Sequence, residues 1–259
     1  MFFYTVYAFS NNVNSGNPAA VSVVDSFPDN SVMQKYATKF NFSQTAFVKP
    51  IVNNKFHIRW FTPNSEAPLC IHATLAASHV IFSNKIIDKD SEIKFINQNN
   101  EFIVTCDGEW INLMFPSYET KKHKENGVIS DILKGNKINF VGISENVLLA
   151  EFDDEDELNN FRPNLEMISS LPYRALLITS KSNKYDFVSR YFAPSVGINE
   201  DPVCGSAHCR LTPYWSKKLD KHSMVAYQAS KRGGILKCKN LKNKVIISGQ
   251  AVTVDQVKL

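Results

Sequence analysis

The chain contains the same motif twice. Residues 56–73 and 187–207 both read Phe-x-x-Arg-aromatic-Phe-x-Pro, followed by a Glu and then by Pro-x-Cys-x-x-Ala. The matched residues are Phe56, Arg59, Trp60, Phe61, Pro63, Glu66, Pro68, Cys70 and Ala73 in the first copy, and Phe187, Arg190, Tyr191, Phe192, Pro194, Glu200, Pro202, Cys204 and Ala207 in the second. The second copy carries a three-residue insertion before its cysteine. The repeat predicts two similar lobes that each present a cysteine in the same way, so that two thiols could flank one bound molecule if the lobes face each other.

Length and composition bound the fold. The 259 residues fit one large domain or two of about 100–150 residues each. A hydrophobic content of 44% is sufficient for a core. The first residues lack the pattern of a signal peptide, and no run reaches the roughly 18 apolar residues of a membrane helix. We therefore expect a cytoplasmic protein with no membrane partner.

Charge, cysteine content and motifs exclude several functional classes. The net charge of +4 is mild, and no aromatic residues interleave with Lys and Arg, so we expect no nucleic-acid partner. The five cysteines are an odd number, and without a signal peptide they are expected to be free thiols: Cys70, Cys106, Cys204, Cys209 and Cys238. The sequence contains neither a Gly-x-Gly-x-x-Gly motif nor a Walker loop.

Short strands dominate the predicted secondary structure. Runs of β-branched and aromatic residues predict strands at 2–8, 19–24, 45–48, 56–61, 92–96, 102–105 and 110–114, and again at 138–141, 175–179, 187–192, 224–227, 235–238, 245–247 and 251–254. Helices are predicted at 30–40 and 128–133, and after each repeated cysteine at 72–82 and 206–219. The helix at 72–82 is apolar on nearly every face, which is typical of a buried helix. Pro213 predicts a kink or a break in the helix at 206–219.

Together these elements predict an α+β fold with two pseudo-symmetric lobes, each a curled, mostly antiparallel sheet around one central helix. The predicted lobes are residues 1–118 and 119–247, and a last strand at about 248–259 returns to the first lobe. Residues 119–127 are polar and are interpreted as the linker.

Each repeated cysteine directly precedes a predicted helix. Unpaired backbone N–H groups and the helix dipole at such a position favour negative charge, so the thiol pKa can fall well below its usual value. A thiolate is a competent base or nucleophile, and the same N–H groups can bind a substrate carboxylate. The alternative is that both cysteines are simply small buried residues.

The residues beside the cysteines leave alternatives open. His72 could move a proton or bind an anion, or it could only pack at the helix start. Asp201 could transfer a proton or hold a loop, and Ser206 could bind substrate or cap its helix. Arg59 and Arg190 are expected to pair with Glu66 and Glu200. A metal site built from Cys70, His72, Cys204, His208 and Cys209 lacks the ligand spacing that would support it.

At these motifs the sequence resembles the phenazine-biosynthesis isomerase-like family, which shares the two-lobed fold of diaminopimelate epimerase. The resemblance covers essentially the whole chain and rests on residues 15–21, 42–48, 59–63, 69–76, 199–208, 213–215 and 228–234. It implies a diaminopimelate epimerase-like fold, a site in the cleft between the lobes, no cofactor, and proton shuttling on a small carboxylate. It also implies that the substrate lies near Asn17, Ser43, Gln44, Thr45, His72, Ala73, Asp201, Gly205 and Ser206. A homodimer is a possible assembly.

Two positions depart from the family pattern. The family usually has a glutamate, its catalytic acid/base, where this chain has Gln44, and an amide cannot exchange a proton as a carboxylate does. The usual Cys-Gly-His reads Cys70-Ile71-His72. In contrast, Cys70 and Cys204 fall where diaminopimelate epimerase places its catalytic thiols, and Gln44 matches a glutamine of that enzyme. The asparagine-rich motif that follows the first cysteine of that enzyme is absent, so diaminopimelate is not the expected substrate.

The leading hypothesis is a cofactor-independent isomerase or epimerase. In it, Cys70 and Cys204 are the opposed acid and base that move an α-proton on a small, amino acid-like carboxylate. One alternative keeps the fold but assigns the chemistry to His72 and Asp201, with structural cysteines. The other is a small-acid binding protein without catalytic activity.

Overall fold

The computed structural model describes residues 1–98, 100–124 and 127–259. The chain divides into two compact units, one formed by Met1–Phe115 with Ile246–Leu259 and the other by Pro116–Val245. Residues 125 and 126 of the predicted linker lie outside the described residues. No described helix is long and apolar enough to cross a membrane.

The first unit begins with eight strands and two helices. They are β1 (Phe2–Ala8), β2 (Asn17–Val23), α1 (Asn30–Phe40), β3 (Gln44–Val52), β4 (Lys55–Phe61), β5 (Glu66–Ala67), α2 (Ile71–Ser83), β6 (Ile93–Asn97), β7 (Asn100–Asp107) and β8 (Trp110–Pro116).

The second unit continues with β9 (Lys121–Lys122), α3 (Gly127–Ile132), β10 (Ile138–Ser144), β11 (Val147–Phe152), α4 (Glu155–Asn160), α5 (Leu165–Ser169), β12 (Ala175–Lys181), β13 (Phe187–Phe192), α6 (Gly205–Leu219), β14 (Ser223–Gln228) and β15 (Gly234–Asn240). A 3₁₀ turn, Pro194–Val196, occupies the insertion of the second repeat. Strand β16 (Lys244–Gly249) contains the boundary between the units, and β17 (Ala251–Lys258) belongs to the first.

The two units have the same strand topology. In the first, β1, β2, β3, β4, β6 and β7 are consecutive neighbours whose pairings alternate between antiparallel and parallel. In the second, β10, β11, β12, β13, β14 and β15 alternate in the same order. Strand β17 pairs antiparallel with β1. The repeat seen in the motifs therefore extends over nearly the whole of each unit.

In both units a helix connects the fourth strand of this series to the fifth. In the first unit that helix is α2, which packs against β1, β2, β3 and β17. Eleven of its 13 residues are buried, as expected for a helix that is apolar on nearly every face. In the second unit it is α6, which packs against β14 and β15. A parallel pair needs such a crossover, so the topology places each cysteine at the start of a central helix.

Pro213 does not break α6, which is continuous from Gly205 to Leu219. A proline has no backbone N–H, so the carbonyl of Cys209, four residues earlier, loses its helical partner. The backbone N–H of Tyr118 donates to that carbonyl at 3.2 Å. The predicted break is therefore wrong, whereas the alternative, a kink, stays a prediction. The segment at Tyr118 satisfies the carbonyl that the proline leaves without a donor.

The sequence analysis missed strand β11 and helices α4 and α5. All six residues of β11 are buried, so it lacks the alternation that identifies a half-buried strand, and it pairs in parallel with β12. Helix α4 has only six residues in an acidic run, and Asp154 caps it by accepting from the N–H of Glu157. Short helices of this kind depend on tertiary contacts more than on propensity.

The predicted pairing of the repeated arginines is confirmed. Arg59 binds Glu66 through Nε and Nη2 at 2.8 and 2.6 Å. Arg190 binds Glu200 through Nε and Nη2 at 2.8 and 3.2 Å. The Arg190 side chain also donates from Nη1 to the carbonyls of Leu158 and Phe161 at 3.2 and 2.8 Å.

We expect the two pairs to differ in their contribution to stability. The side chains of Arg190 and Glu200 are 10% and 25% exposed, whereas those of Arg59 and Glu66 are 23% and 33% exposed. R190M should lower the free energy of unfolding by about 3 kcal/mol, since it leaves a half-buried carboxylate and two carbonyls without their donor. R59M, the matched control, should cost at most about 1 kcal/mol. Urea denaturation of both variants measures the difference, and equal costs would contradict the assignment.

Candidate active site

Cys70 and Cys204 occupy equivalent positions at the starts of α2 and α6. Each is the N-cap of its helix with an extended backbone, each is 7% exposed, and neither is in a disulfide. The side chain four residues later donates to the cysteine carbonyl in both units. Thr74 Oγ1 reaches the Cys70 carbonyl at 2.6 Å, and His208 Nδ1 reaches the Cys204 carbonyl at 2.8 Å. The two helix starts are thus built alike.

The residue two positions after each cysteine contacts its sulfur. His72 Nδ1 lies 3.2 Å from Cys70 Sγ, and Ser206 Oγ lies 3.3 Å from Cys204 Sγ. An imidazole can accept and hold a proton, whereas a hydroxyl can only donate or accept a hydrogen bond at neutral pH. The two thiols therefore have equivalent positions but different neighbours.

Hydrogen bonds connect His72 to Ser43 and Asn17. Ser43 Oγ lies 3.3 Å from His72 Nε2 and 3.4 Å from Asn17 Oδ1, to which it donates. When the imidazole carries its proton on Nε2, the serine oxygen accepts from that N–H and Nδ1 can accept from the thiol of Cys70. Burial lowers the pKa of His72 to about 3, so its imidazole is neutral at neutral pH. Cys70 thus lies in contact with a neutral proton acceptor.

Asn17 is held in place by the residue before it. Gly16 has φ +80°, and a Cβ at this position would lie 2.5 Å from the Ala8 carbonyl oxygen, so only glycine fits. Asn17 itself starts β2 and is fully buried. The sequence signal Ser-Gly-Asn-Pro therefore has a local structural cause.

Three further predicted residues lie in the first unit, at the starts of β3 and α2. Gln44 and Thr45 start β3, directly after Ser43, and both are buried. Among the described residues, Gln44 Oε1 and Thr45 Oγ1 have no hydrogen-bond partner, which is unusual for buried polar atoms. Ala73 is fully buried in the first turn of α2, where backbone N–H groups lack intrahelical acceptors. This region can accept a donor through Gln44 and can offer N–H groups to an anion.

The second unit brings Asp201, Cys204, Gly205 and Ser206 together at the start of α6. Gln228, which the sequence analysis did not identify, holds this segment. Its Oε1 accepts from the N–H of Cys204 at 2.8 Å, and its Nε2 donates to the Asp201 carbonyl at 2.6 Å. Gln228 is fully buried at the end of β14. A glutamine at the end of a predicted strand carries no sequence signal for this role.

The predicted lowering of the thiol pKa is wrong for Cys204. Burial raises the pKa of Cys204 to about 12, and the negative charge of Asp201 adds to this effect. The Ser206 hydroxyl, the Ala207 N–H and Arg210 favour the thiolate but do not outweigh the loss of hydration. Cys204 is therefore a protonated thiol at neutral pH and is suited to give a proton.

A cavity of about 410 Å³ in the first unit lies apart from these residues. His79, Cys106 and Gln250 contribute to its lining, and none of the predicted site residues does. Within the described ranges, no group of three or more His, Cys, Asp or Glu side chains could hold a metal ion.

The chain belongs to the phenazine biosynthesis-like protein family, whose model matches residues 6–256. An uncharacterized isomerase of Halalkalibacterium halodurans is 44% identical over 260 residues, covering 99% of this chain and 97% of that protein. The crystal structure of a phenazine biosynthesis family protein from Enterococcus faecalis is 36% identical, with a TM-score of 0.94 and coverage of 100% and 99% of the two chains.

More distant structures share the fold alone. A hydroxyproline epimerase from Agrobacterium vitis is 9% identical, with a TM-score of 0.64 over 99% of this chain and 91% of that one. The predicted α+β, diaminopimelate epimerase-like fold is confirmed. The names of the relatives support an isomerase class for this chain.

Proposed function

We propose that this protein is a cofactor-independent epimerase or isomerase that moves an α-proton on a small, amino acid-like carboxylate. The observation that carries the proposal is the equivalence of Cys70 and Cys204. Both are N-caps of central helices, both are nearly buried, and each sulfur contacts the residue two positions later. Two topologically repeated thiols suit a reaction that needs one acid and one base on opposite faces of one carbon.

The two thiols have different roles when the substrate enters. Cys204 is protonated at neutral pH because burial raises its pKa to about 12, so it is the proton donor. Cys70 is the base, and His72 Nδ1 is the group positioned to take its proton. The imidazolium so formed is unfavourable in the buried free protein, and a substrate carboxylate nearby would compensate it. In this scheme the anionic substrate favours the Cys70 thiolate, which then removes the substrate's α-proton.

Substrate binding is assigned to the helix starts and the first residues of β3. Ala73 and Gly205 lie in the first turns of α2 and α6, where backbone N–H groups lack intrahelical acceptors and suit a carboxylate. Gln44 Oε1, a buried acceptor with no partner among the described residues, suits an N–H or O–H donor on the substrate. Asn17, Ser43, Thr45 and Ser206 complete the proposed set.

His72 and Asp201 are second candidates for the proton-transfer step itself. One observation favours His72, because its Nδ1 is within hydrogen-bond distance of a thiol and its other nitrogen contacts Ser43. In that case the imidazole would exchange the substrate proton directly and Cys70 would only position it. Asp201 lies near Cys204, whose pKa it helps to raise.

Solvent deuterium exchange tests the class of reaction. Panels of L- and D-amino acids and 2-hydroxy acids are incubated with the protein in deuterated water, and the Cα–H signals are followed by proton NMR. We expect exchange together with inversion for at least one member, because a two-base reaction returns a solvent-derived proton to the opposite face. Saturable binding of a carboxylate without any exchange would contradict an epimerase and favour a binding protein.

A further inference from the structure

Arg210 is a buried cation in the helix that starts at Cys204. It lies six residues after Cys204 and is 9% exposed. The residue six positions after Cys70 is Ala76, which is fully buried. At this position the helix that starts at Cys204 therefore carries a cation, whereas the helix that starts at Cys70 carries a methyl group.

The described residues give Arg210 no carboxylate partner. Its Nη1 donates to the Ser206 carbonyl at 2.9 Å and its Nε to the Ser144 carbonyl at 3.4 Å, while the guanidinium carbon lies 4.8 Å from the centre of the Tyr118 ring. In contrast, Arg190 of the same unit forms an ion pair with Glu200. A buried cation whose direct contacts are carbonyl dipoles and a ring is costly unless an anion is formed or bound near it.

Four weak acids lie near enough for Arg210 to lower their pKa: Tyr118, Tyr191, Cys204 and Cys209. Burial raises the pKa of all four, so the cation faces neutral groups in the free protein. Other neighbours also shift the pKa values of these acids. Arg174 lowers that of Tyr191, and Asp201 raises those of Tyr191 and Cys204. Cys238 raises the pKa of Cys209, and Glu145 raises that of Tyr118. Of the four, only Cys204 caps a helix and contacts a hydroxyl, that of Ser206, whose own carbonyl is bound by Arg210.

We propose that Arg210 stabilises the thiolate that Cys204 becomes when it protonates the substrate carbon. In that step the S–H bond breaks, the carbanion's electron pair forms the new C–H bond, and the negative charge moves to Sγ, which contacts the hydroxyl of the residue whose carbonyl Arg210 binds. The catalytic use of this charge rests on the proposed function, whereas the electrostatic link between Arg210 and Cys204 does not. Arg210 is a positioning residue, since it acts through the thiol.

The pH dependence of Cys204 alkylation tests the link without a substrate. Full-length wild type and variants are treated with iodoacetamide between pH 7 and 9, and modification of Cys204 is quantified by peptide mass spectrometry. R210M removes the charge, R210Q also keeps a donor for the two carbonyls, and R210K keeps the charge. R162M, at an exposed arginine of the same unit, is the control for net charge. Thermal unfolding verifies that each variant is folded. If R210M does not fold, the alkylation rate of R210Q is the test of the proposal.

Removal of the charge should slow Cys204 alkylation by about threefold at each pH, which corresponds to a pKa higher by about half a unit, because burial, Asp201, Ser206 and Ala207 affect this thiol more than Arg210 does. R210K should recover most of the rate, and R162M should match wild type. A rate in R210Q equal to or faster than that of wild type would overturn the proposal. If the variants slow alkylation as expected but wild type exchanges no α-proton of any tested acid, the electrostatic link between Arg210 and Cys204 stands and the proposed epimerase function is contradicted.

Discussion

Alanine in place of either Cys70 or Cys204 should lower net epimerisation by at least about 100-fold, since each change removes one of the two proton-transfer groups. The reason is geometric as well as chemical. Each sulfur is held at the start of its own helix, and the proposed reaction assigns one face of the reacting carbon to each. Without the second thiol, no proton is delivered to the face opposite the abstraction.

The single variants should still differ in proton exchange. C204A keeps Cys70 in contact with His72 and should exchange the α-proton of one enantiomer with solvent. C70A keeps the protonated Cys204 and should exchange the α-proton of the other enantiomer only. Exchange without inversion, followed by NMR in deuterated water for each pure enantiomer, measures this asymmetry.

Cys106 provides a matched control for the loss of a thiol. It lies in β7, is half-buried, and does not cap a helix. C106A should therefore retain wild-type turnover. Full turnover in the C70A/C204A double variant would show that the thiols are structural and would assign the chemistry to His72 and Asp201.

Acidification should destabilise the protein through two buried imidazoles. Burial lowers the pKa of His72 to about 3 and that of His208 to about 4, whereas a histidine in the unfolded chain titrates near about 6.5. The unfolded state therefore binds protons first, and stability present above about pH 6.5 is lost as the pH falls toward those folded-state values. Between pH 7.5 and 4.5 each histidine should remove about 2.5 kcal/mol from the free energy of unfolding.

Variants isolate this effect from the titration of carboxylates. H208N and H72Q should each reduce the difference in unfolding free energy between pH 7.5 and 4.5 by about 2.5 kcal/mol, although both lower stability at pH 7.5. H222N is the control, because His222 is exposed. Guanidinium denaturation at the two pH values measures the differences. The same pH difference in H208N as in wild type would contradict a neutral, buried His208.

Local patterns in the sequence were sufficient for much of the fold. The repeated motif predicted both cysteine positions, both central helices and both arginine–glutamate pairs, because these features depend on residues within about 30 positions of one another. Gly16 and Asn17 belong to the same class, since the turn before β2 requires a glycine at that position. The identity of the family followed from the same motifs.

Features that combine distant segments or depend on burial needed the tertiary structure. Strand β11 is buried on every residue and so has no alternation to detect. Pro213 lies inside α6, and Tyr118 supplies the missing donor for the Cys209 carbonyl from another segment. The hydrogen bonds of the Gln228 side chain to Cys204 and Asp201 connect the end of a strand to a segment more than 20 residues earlier in the chain.

The chemistry of the two thiols shows the same division. Their positions at helix starts were readable from the sequence, and a helix N-terminus by itself lowers a thiol pKa. The sequence could not show that Cys204 is buried beside Asp201, which raises its pKa instead. Nor could it show that Ser43 lies between His72 and Asn17, or that Arg210 has no carboxylate partner among the described residues. Ionisation depends on hydration and on the sum of all neighbouring charges, and only the packed chain determines both.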